Sequence, residues 1–258
     1  MIFITGDCHA EFRRFSKENF PEQSEMTRND VVIICGDFGG VFYPMDESRY
    51  RKELKNEDYW LDWLESKPYT TVFVAGNHEN YDRLQALPVQ EWNGGKVRPI
   101  RPHVLQLMNG EVYTIDEKKL FVFGGARSHD ISDGILDGSD GNWRETARRL
   151  NKSGKYLFRV RGVTWWEAEI PSEEDMRHGC EMLDENDWNV DFVVTHCCAS
   201  STQAILSAGN FKPDQLTDYL EQIHSKLNFR YWFFGHYHDN KNVTSNELLL
   251  YEQIIQIA

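Results

Sequence analysis

The chain has 258 residues and a formal net charge of −13, from 41 acidic against 28 basic side chains; a surface this acidic repels nucleic-acid backbones and disfavours a non-specific DNA or RNA binder. Bound divalent cations would reverse that field locally. Eight Trp, fifteen Phe and eleven Tyr supply a packed core and exclude a disordered chain.

The chain opens on a short strand, Ile2 to Thr5, closed by Gly6-Asp7-Cys8-His9. A short helix is expected over Phe12 to Asn19. Asp30 to Cys35 is a second buried strand, closed by Gly36-Asp37-Phe38-Gly39-Gly40. A long charged helix is expected over Asp46 to Glu65, with Leu54, Trp60, Leu61 and Leu64 as its apolar positions, and Pro68 stops it. Val72-Phe73-Val74-Ala75 is β-branched and aromatic and ends at Gly76, which predicts a third buried strand. Asn77, His78 and Glu79 follow at once; polar residues at the carboxyl end of a strand in an α/β sheet usually face a binding crevice. Asn80 to Leu87 predicts a helix ending near Pro88.

This alternation argues for a largely parallel sheet with helices on its faces. Right-handed crossovers would bring the strand ends to one side. Val104 to Leu107, Glu111 to Ile115 and Leu120 to Phe123 are expected to form a meander joined by short turns such as Asn109-Gly110, adding antiparallel strands or a second sheet. Arg127 to Pro171 is irregular: a loop-like stretch rich in Gly and Asp, a basic helical piece from Trp143 to Leu150, then an extended run from Arg159 to Trp166. Ser172 with Asp175 resembles a capping box that opens a helix to about Asn186. Asp191 to Thr195 is a fourth strand, ending at His196. Asp214 to Leu227 is a helix, and Tyr231 to Phe234 is a fifth strand ending in Gly235-His236-Tyr237-His238. The tail from Asn242 to Ile257 predicts two or three short strands. No linker or internal repeat divides the chain, so one domain over residues 1–258 is expected, with a lid or specificity insertion at about 127–171.

The five cysteines match neither a disulfide framework nor a pair of zinc knuckles, which favours a reducing cytoplasm. The first residues lack the basic and long apolar regions of a secretory signal. No run approaches a membrane span.

The strand ends collect Asp7, His9, Asp37, Asn77, His78, His196, His236 and His238. With His78 set aside, four His, two Asp and one Asn remain. This oxygen and imidazole inventory suits Mn, Fe, Zn or Co. It is too large for one ion, and with one side chain shared it would serve two. Ions about 3.5–4 Å apart clamp both the attacking and the leaving oxygen of an in-line displacement. Asp37 is the natural bridge, because a carboxylate has two oxygens and a charge that offsets cation repulsion. His129 follows a predicted strand and is a candidate pocket residue. Arg127, Arg144, Arg148, Arg159 and Arg161 read as a solvated basic face, with phosphate binding as the alternative. Glu79 either orients His78 or favours the N-terminus of the next helix. Cys8, Cys197 and Cys198 read as small buried residues. His103, His178 and His224 read as structural or surface residues, and Trp165-Trp166 as core packing.

Taken together, GDCH, GDFGG, GNHE, a lone His after a strand, and GHYH, in this order from Gly6 to His238, resemble the calcineurin-like metallophosphoesterase superfamily. The resemblance implies an α/β, four-layer α-β-β-α sandwich of two mixed sheets flanked by helices. It implies one ion held by Asp7, His9, Asp37 and His238, and another held by Asp37, Asn77, His196 and His236. Two divalent transition metal ions are expected, Mn first, with Fe, Zn, Co or Ni as alternatives. His78 would be the catalytic residue, binding the phosphate and protonating the leaving oxygen. Asn77, His78, Arg127 and His129 form the expected substrate-binding set. The implied activity is hydrolysis of phosphate esters by in-line attack of a metal-bridging hydroxide.

Two departures bear on the branch. Ala10 follows GDCH, and GDFGGVF lacks the Asp-Arg pair typical of the protein Ser/Thr phosphatases. Twenty residues follow His238, too few for the DNA-binding module of the repair nucleases. A phosphodiesterase or nuclease acting on nucleotides or nucleic acid, a protein Ser/Thr phosphatase and a non-catalytic phosphate-binding regulator are the alternatives. The expected partner is a phosphate-ester substrate, with no membrane and no stable nucleic-acid partner. Monoester against diester preference and oligomeric state stay open.

Overall fold

Runs that are apolar at every position become central strands, because both faces of a strand between two layers are buried. A computed structural model of the chain describes residues 1–45 and 48–258. In chain order the strands are β1 (Ile2–Thr5), β2 (Val31–Ile34), β3 (Thr70–Phe73), β4 (Gln90–Trp92), β5 (Gly95–Arg101), β6 (Val104–Leu107), β7 (Val112–Ile115), β8 (Lys118–Phe123), β9 (Gly134–Asp137), β10 (Phe158–Arg161), β11 (Asn189–Thr195), β12 (Asn228–Phe234), β13 (Lys241–Asn242), β14 (Glu247–Leu249) and β15 (Ile254–Gln256). The helices are α1 (Arg51–Glu65), α2 (Tyr81–Gln85), α3 (Trp143–Lys152), α4 (Glu173–Glu185), α5 (Ser200–Ser207) and α6 (Gln215–Lys226).

Two mixed sheets carry the fold, ordered β15-β1-β2-β3-β6-β5-β4 and β13-β14-β12-β11-β8-β7. The centre of each is parallel: β1, β2, β3 and β6 in the first, β8, β11, β12 and β14 in the second. The edges are antiparallel. Side chains alternate between layers as strand geometry requires. In β2, Val31 and Ile33 point between the sheets, where they join Ile4, Val72, Leu105, Val122, Phe192 and Phe233. Val32 and Ile34 point the other way, under Leu61 and Leu64 of α1 and Leu84 of α2. The outer face of the second sheet, with Phe121, Val193 and Trp232, packs on Leu183 of α4 and on Leu216, Leu220 and Ile223 of α6. The result is the expected four-layer α-β-β-α sandwich. Each fully buried Ile, Leu or Phe of these layers contributes about 1.5–3 kcal/mol.

Several local expectations change. The helix expected over Phe12 to Asn19 is one 3-10 turn, Phe12–Phe15, because Ser16 already has an extended backbone (ψ 156°). Asp46 and Glu47, the first two residues of the expected charged helix, lie outside the described residues; α1 begins at Arg51 after a 3-10 turn, Ser48–Tyr50. The three-strand meander is divided. β6 joins the first sheet parallel to β3, while β7 and β8 pair antiparallel in the second. The chain changes layer at Asn109-Gly110, where Gly110 has φ +80° and its N–H donates to Val122 O. The hairpin β4–β5 and the helix α5 were not expected. The hairpin turns on Asn93-Gly94, both at positive φ (49° and 89°), the residues such a turn demands. Within 127–171, β9 and β10 pair parallel as a small sheet of their own. Ser172 and Asp175 do form the capping box that opens α4.

Candidate metal centre

The carboxyl ends of β1, β2, β3, β11 and β12 converge, and each delivers one polar cluster. The turns are tight. His9, Ala10, Asp37, His236 and His238 all have left-handed φ, between 44° and 70°, a conformation that non-glycine residues adopt rarely. Two glycines make the approach possible. A Cβ on Gly76 would stand 2.1 Å from Asp37 Oδ1, and one on Gly235 would stand 2.0 Å from Asp7 Oδ1. The glycine that ends one strand thus leaves room for the carboxylate that ends another.

Asp7, His9, Asp37 and His238 each offer one ligand atom, and these atoms lie within 4.8 Å of one another. His238 Nε2 is 3.1 Å from Asp7 Oδ2 and 3.0 Å from His9 Nε2. His9 Nε2 is 3.7 Å from Asp37 Oδ2. The other oxygen of Asp37, Oδ1, faces a second group: it is 3.3 Å from His196 Nε2. His196 Nε2 lies 3.2 Å from Asn77 Oδ1, while its Nδ1 donates to Cys35 O at 2.8 Å. That bond directs Nε2, the other ring nitrogen, to the cluster. The His236 ring stands 5.0 Å from the His196 ring, and its Nε2 is 2.6 Å from His129 Nε2. Its backbone N–H donates to Asp7 Oδ1 at 2.9 Å.

Asp7 and Asp37 are 0% and 1% exposed, and neither carboxylate has a Lys or Arg partner among the described residues. Two buried anions whose side-chain partners are imidazoles, with one backbone N–H each, are a donor set fitted to divalent cations. Burial disfavours ionisation of Asp37, but the charge and hydrogen bond of His196 outweigh it and hold the carboxyl well below the usual range.

The His78 side chain is not part of the Asp7, His9, Asp37 and His238 group. The residue's backbone N–H donates to Asp37 Oδ1 at 2.8 Å, while its ring lies against Arg159, with Nε2 3.2 Å from the guanidinium Nη2. Burial and, against the pull of Asp37, the Arg159 charge lower its pKa from the ordinary value. Arg159 corrects the expectation of a solvated face. It is 13% exposed, pairs with Asp130 at 2.6 Å, and its buried Nε has no partner. The basic-face reading does hold for Arg161, which is exposed and pairs with Glu167 at 2.8 Å.

Asn77 Nδ2 points to Ser128 Oγ at a long 3.5 Å, and Glu169 accepts from both Ser128 Oγ and Ser128 N. Arg127 and His129 are exposed on the wall of a cavity beside His236. Glu79 serves neither role weighed for it. It is fully buried and accepts from Phe38 N at 2.6 Å, so it clamps the turn that carries Asp37. Glu79→Ala leaves that amide without an acceptor and is expected to lower unfolding stability by about 1–3 kcal/mol. Denaturant titration measures this, and an unchanged midpoint removes Glu79 from the clamp. Trp166 is core, packed on Ala75 and Tyr81. Burial pushes the Cys8 and Cys198 thiols up to about 12, as inert packing groups. His103, His178 and His224 pair with Glu65, Glu111 and Glu247, away from the cluster.

A family model described as calcineurin-like phosphoesterase matches residues 1–240. Among curated proteins, the lariat debranching enzyme of Gallus gallus is 21% identical over 250 residues, 92% of this chain and 42% of that protein. Lariat debranching enzyme A of Xenopus laevis is 32% identical over 98 residues, 35% of this chain and 18% of that protein. The lariat debranching enzyme of Danio rerio is 25% identical over 144 residues, 53% of this chain and 24% of that protein. The chain therefore spans less than half the length of these relatives.

Proposed function

The chain belongs to the calcineurin-like phosphoesterase family, and from that premise we propose that it is a metal-dependent hydrolase of phosphate esters. One observation carries the reading: Asp37 turns one oxygen toward Asp7, His9 and His238 and the other toward His196 and Asn77. Asp7, His9, Asp37 and His238 would hold one divalent ion, and Asp37, Asn77, His196 and His236 the other, with Mn favoured over Fe, Zn, Co or Ni. Such ions, when bound, supply Lewis-acid charge to the phosphoryl oxygens and lower the pKa of water. The residues do the rest. Asn77, steadied by Ser128 and Glu169, presents its amide to the phosphoryl group. Arg159 binds a phosphoryl oxygen beside His78, and His78 passes a proton to the departing oxygen. The segment 127–171 acts as the lid that carries Arg159 and His129 to the site. The free, mostly buried cysteines support a reducing, cytoplasmic setting. No helix among the described residues is long and apolar enough to cross a membrane.

Phosphodiester hydrolysis is the second reading. It is favoured by the lariat debranching enzyme that aligns with 92% of this chain. The test is a side-by-side assay of p-nitrophenyl phosphate and bis-p-nitrophenyl phosphate after chelator treatment. Activity should vanish with the metal and return with added Mn²⁺, and the faster substrate assigns monoester or diester preference. A chain that hydrolyses neither ester with any of the five metals is not a phosphoesterase.

A further inference from the structure

A cavity of about 450 Å³ opens beside His236, at the Asn77–His196 end of the site. Four of its residues carry aromatic rings that pack on one another. Phe211 stacks on Tyr237 at 5.9 Å and 22°, His129 stacks on His236 at 4.6 Å and 25°, and Phe211 meets His129 at 5.4 Å. Phe211 keeps 41% of its surface exposed on the cavity wall. Arg127 and Lys212 stand at the same wall, exposed, without a hydrogen bond or ion pair among the described residues. The acidic residue of the cavity, Asp214, is engaged in capping α6, where it accepts from Leu216 N and Thr217 N. Gln203 also lines the cavity. It is 5% exposed, its Nε2 donates to Tyr237 Oη, and its Oε1 has no donor.

From these residues we infer that the cavity is a nucleoside subsite, which takes the base and sugar of a nucleotide-type phosphate ester. The inference rests on the phosphoesterase reading, because the ester must enter the neighbouring centre. A purine or pyrimidine ring is flat, apolar on its faces and polar at its edge. The exposed faces of Phe211 and His129 suit stacking on such a ring, which is sequence-tolerant because every base has a π-face. A base N–H would supply the missing donor to Gln203 Oε1 once the carboxamide turns to the cavity. Arg127 and Lys212 would take the adjoining phosphate oxygens. An aliphatic leaving group would satisfy neither the rings nor the carboxamide.

Adenosine and ribose are the probes, titrated into the Mn-loaded full chain and followed by isothermal titration calorimetry. Neither carries a phosphate, so the result does not depend on turnover. Adenosine is expected to bind about tenfold or more tightly than ribose, the size of one base–aromatic stack. Phe211→Ala should erase that preference, and Phe211→Tyr, which keeps the ring, should restore it. Equal binding of the two probes, no binding of either, or a preference that survives Phe211→Ala overturns the subsite. Loss of the phosphoesterase reading would show elsewhere, as absent Mn-dependent hydrolysis with the adenosine preference intact.

Discussion

Asp37→Ala is expected to reduce Mn-dependent ester hydrolysis by about a thousandfold or more, since a metal centre supplies several kcal/mol of charge stabilisation and each 1.36 kcal/mol is about tenfold in rate. It should also empty both ion positions together. The reason lies in the two oxygens: Oδ2 is 3.7 Å from His9 Nε2, and Oδ1 is 3.3 Å from His196 Nε2. Asp7 also spans the two groups, but its Oδ1 reaches His196 only at Nδ1, 3.9 Å away, the nitrogen already bonded to Cys35 O. Asp7→Ala, by contrast, should empty the His9–His238 position first. Elemental analysis of the purified proteins reads the difference directly. Because Asp37 sits at φ 44°, where alanine is strained, Asp37→Asn serves as the second variant; it keeps the shape and removes the charge. Retention of both ions by either variant would sink the bridging role.

Which parts of this centre are legible in the sequence follows from the range of the contacts. Asp7, Asp37, Asn77, His196 and His236 each follow an apolar run closed by glycine or by the strand itself, so local pattern and order suffice to collect them. The packed layers are legible for the same reason: Val31 to Ile34 must bury both faces. The Asn93-Gly94 hairpin is also written locally, between Trp92 and Gly95, although the strands it joins are short and only half apolar. Arg159 is different. It reaches His78 across 81 residues, and nothing in Phe158-Arg159-Val160-Arg161 separates the buried arginine from the exposed one. Glu79 accepts from Phe38 across 41 residues, so its position beside His78 suggests a partner it does not have. The exchange of β6 from the meander to the first sheet depends on the packing of two layers, which a turn such as Asn109-Gly110 permits but does not dictate.

His78→Ala is expected to lower kcat on an alkyl phosphate ester by about 10²–10⁴-fold, the usual worth of a general acid, while bound metal stays unchanged. The side chain touches no carboxylate of the cluster; its ring lies 5.0 Å from that of His9 and meets the guanidinium of Arg159. Before substrate binds, burial and Arg159 hold the imidazole pKa below its ordinary value. An anionic phosphoryl group seated between the two reverses that balance. Its oxygens take the guanidinium, and its negative charge favours the imidazolium that must give up the proton. A nitrophenolate leaves without protonation, so the same variant should lose much less on p-nitrophenyl phosphate. The contrast between the two esters is the diagnostic. Arg159→Ala should instead raise KM on both, since it binds oxygen and transfers no proton. Equal losses by His78→Ala on alkyl and nitrophenyl esters, or a parallel fall in bound metal, would place His78 among the binding residues and leave the proton to another donor.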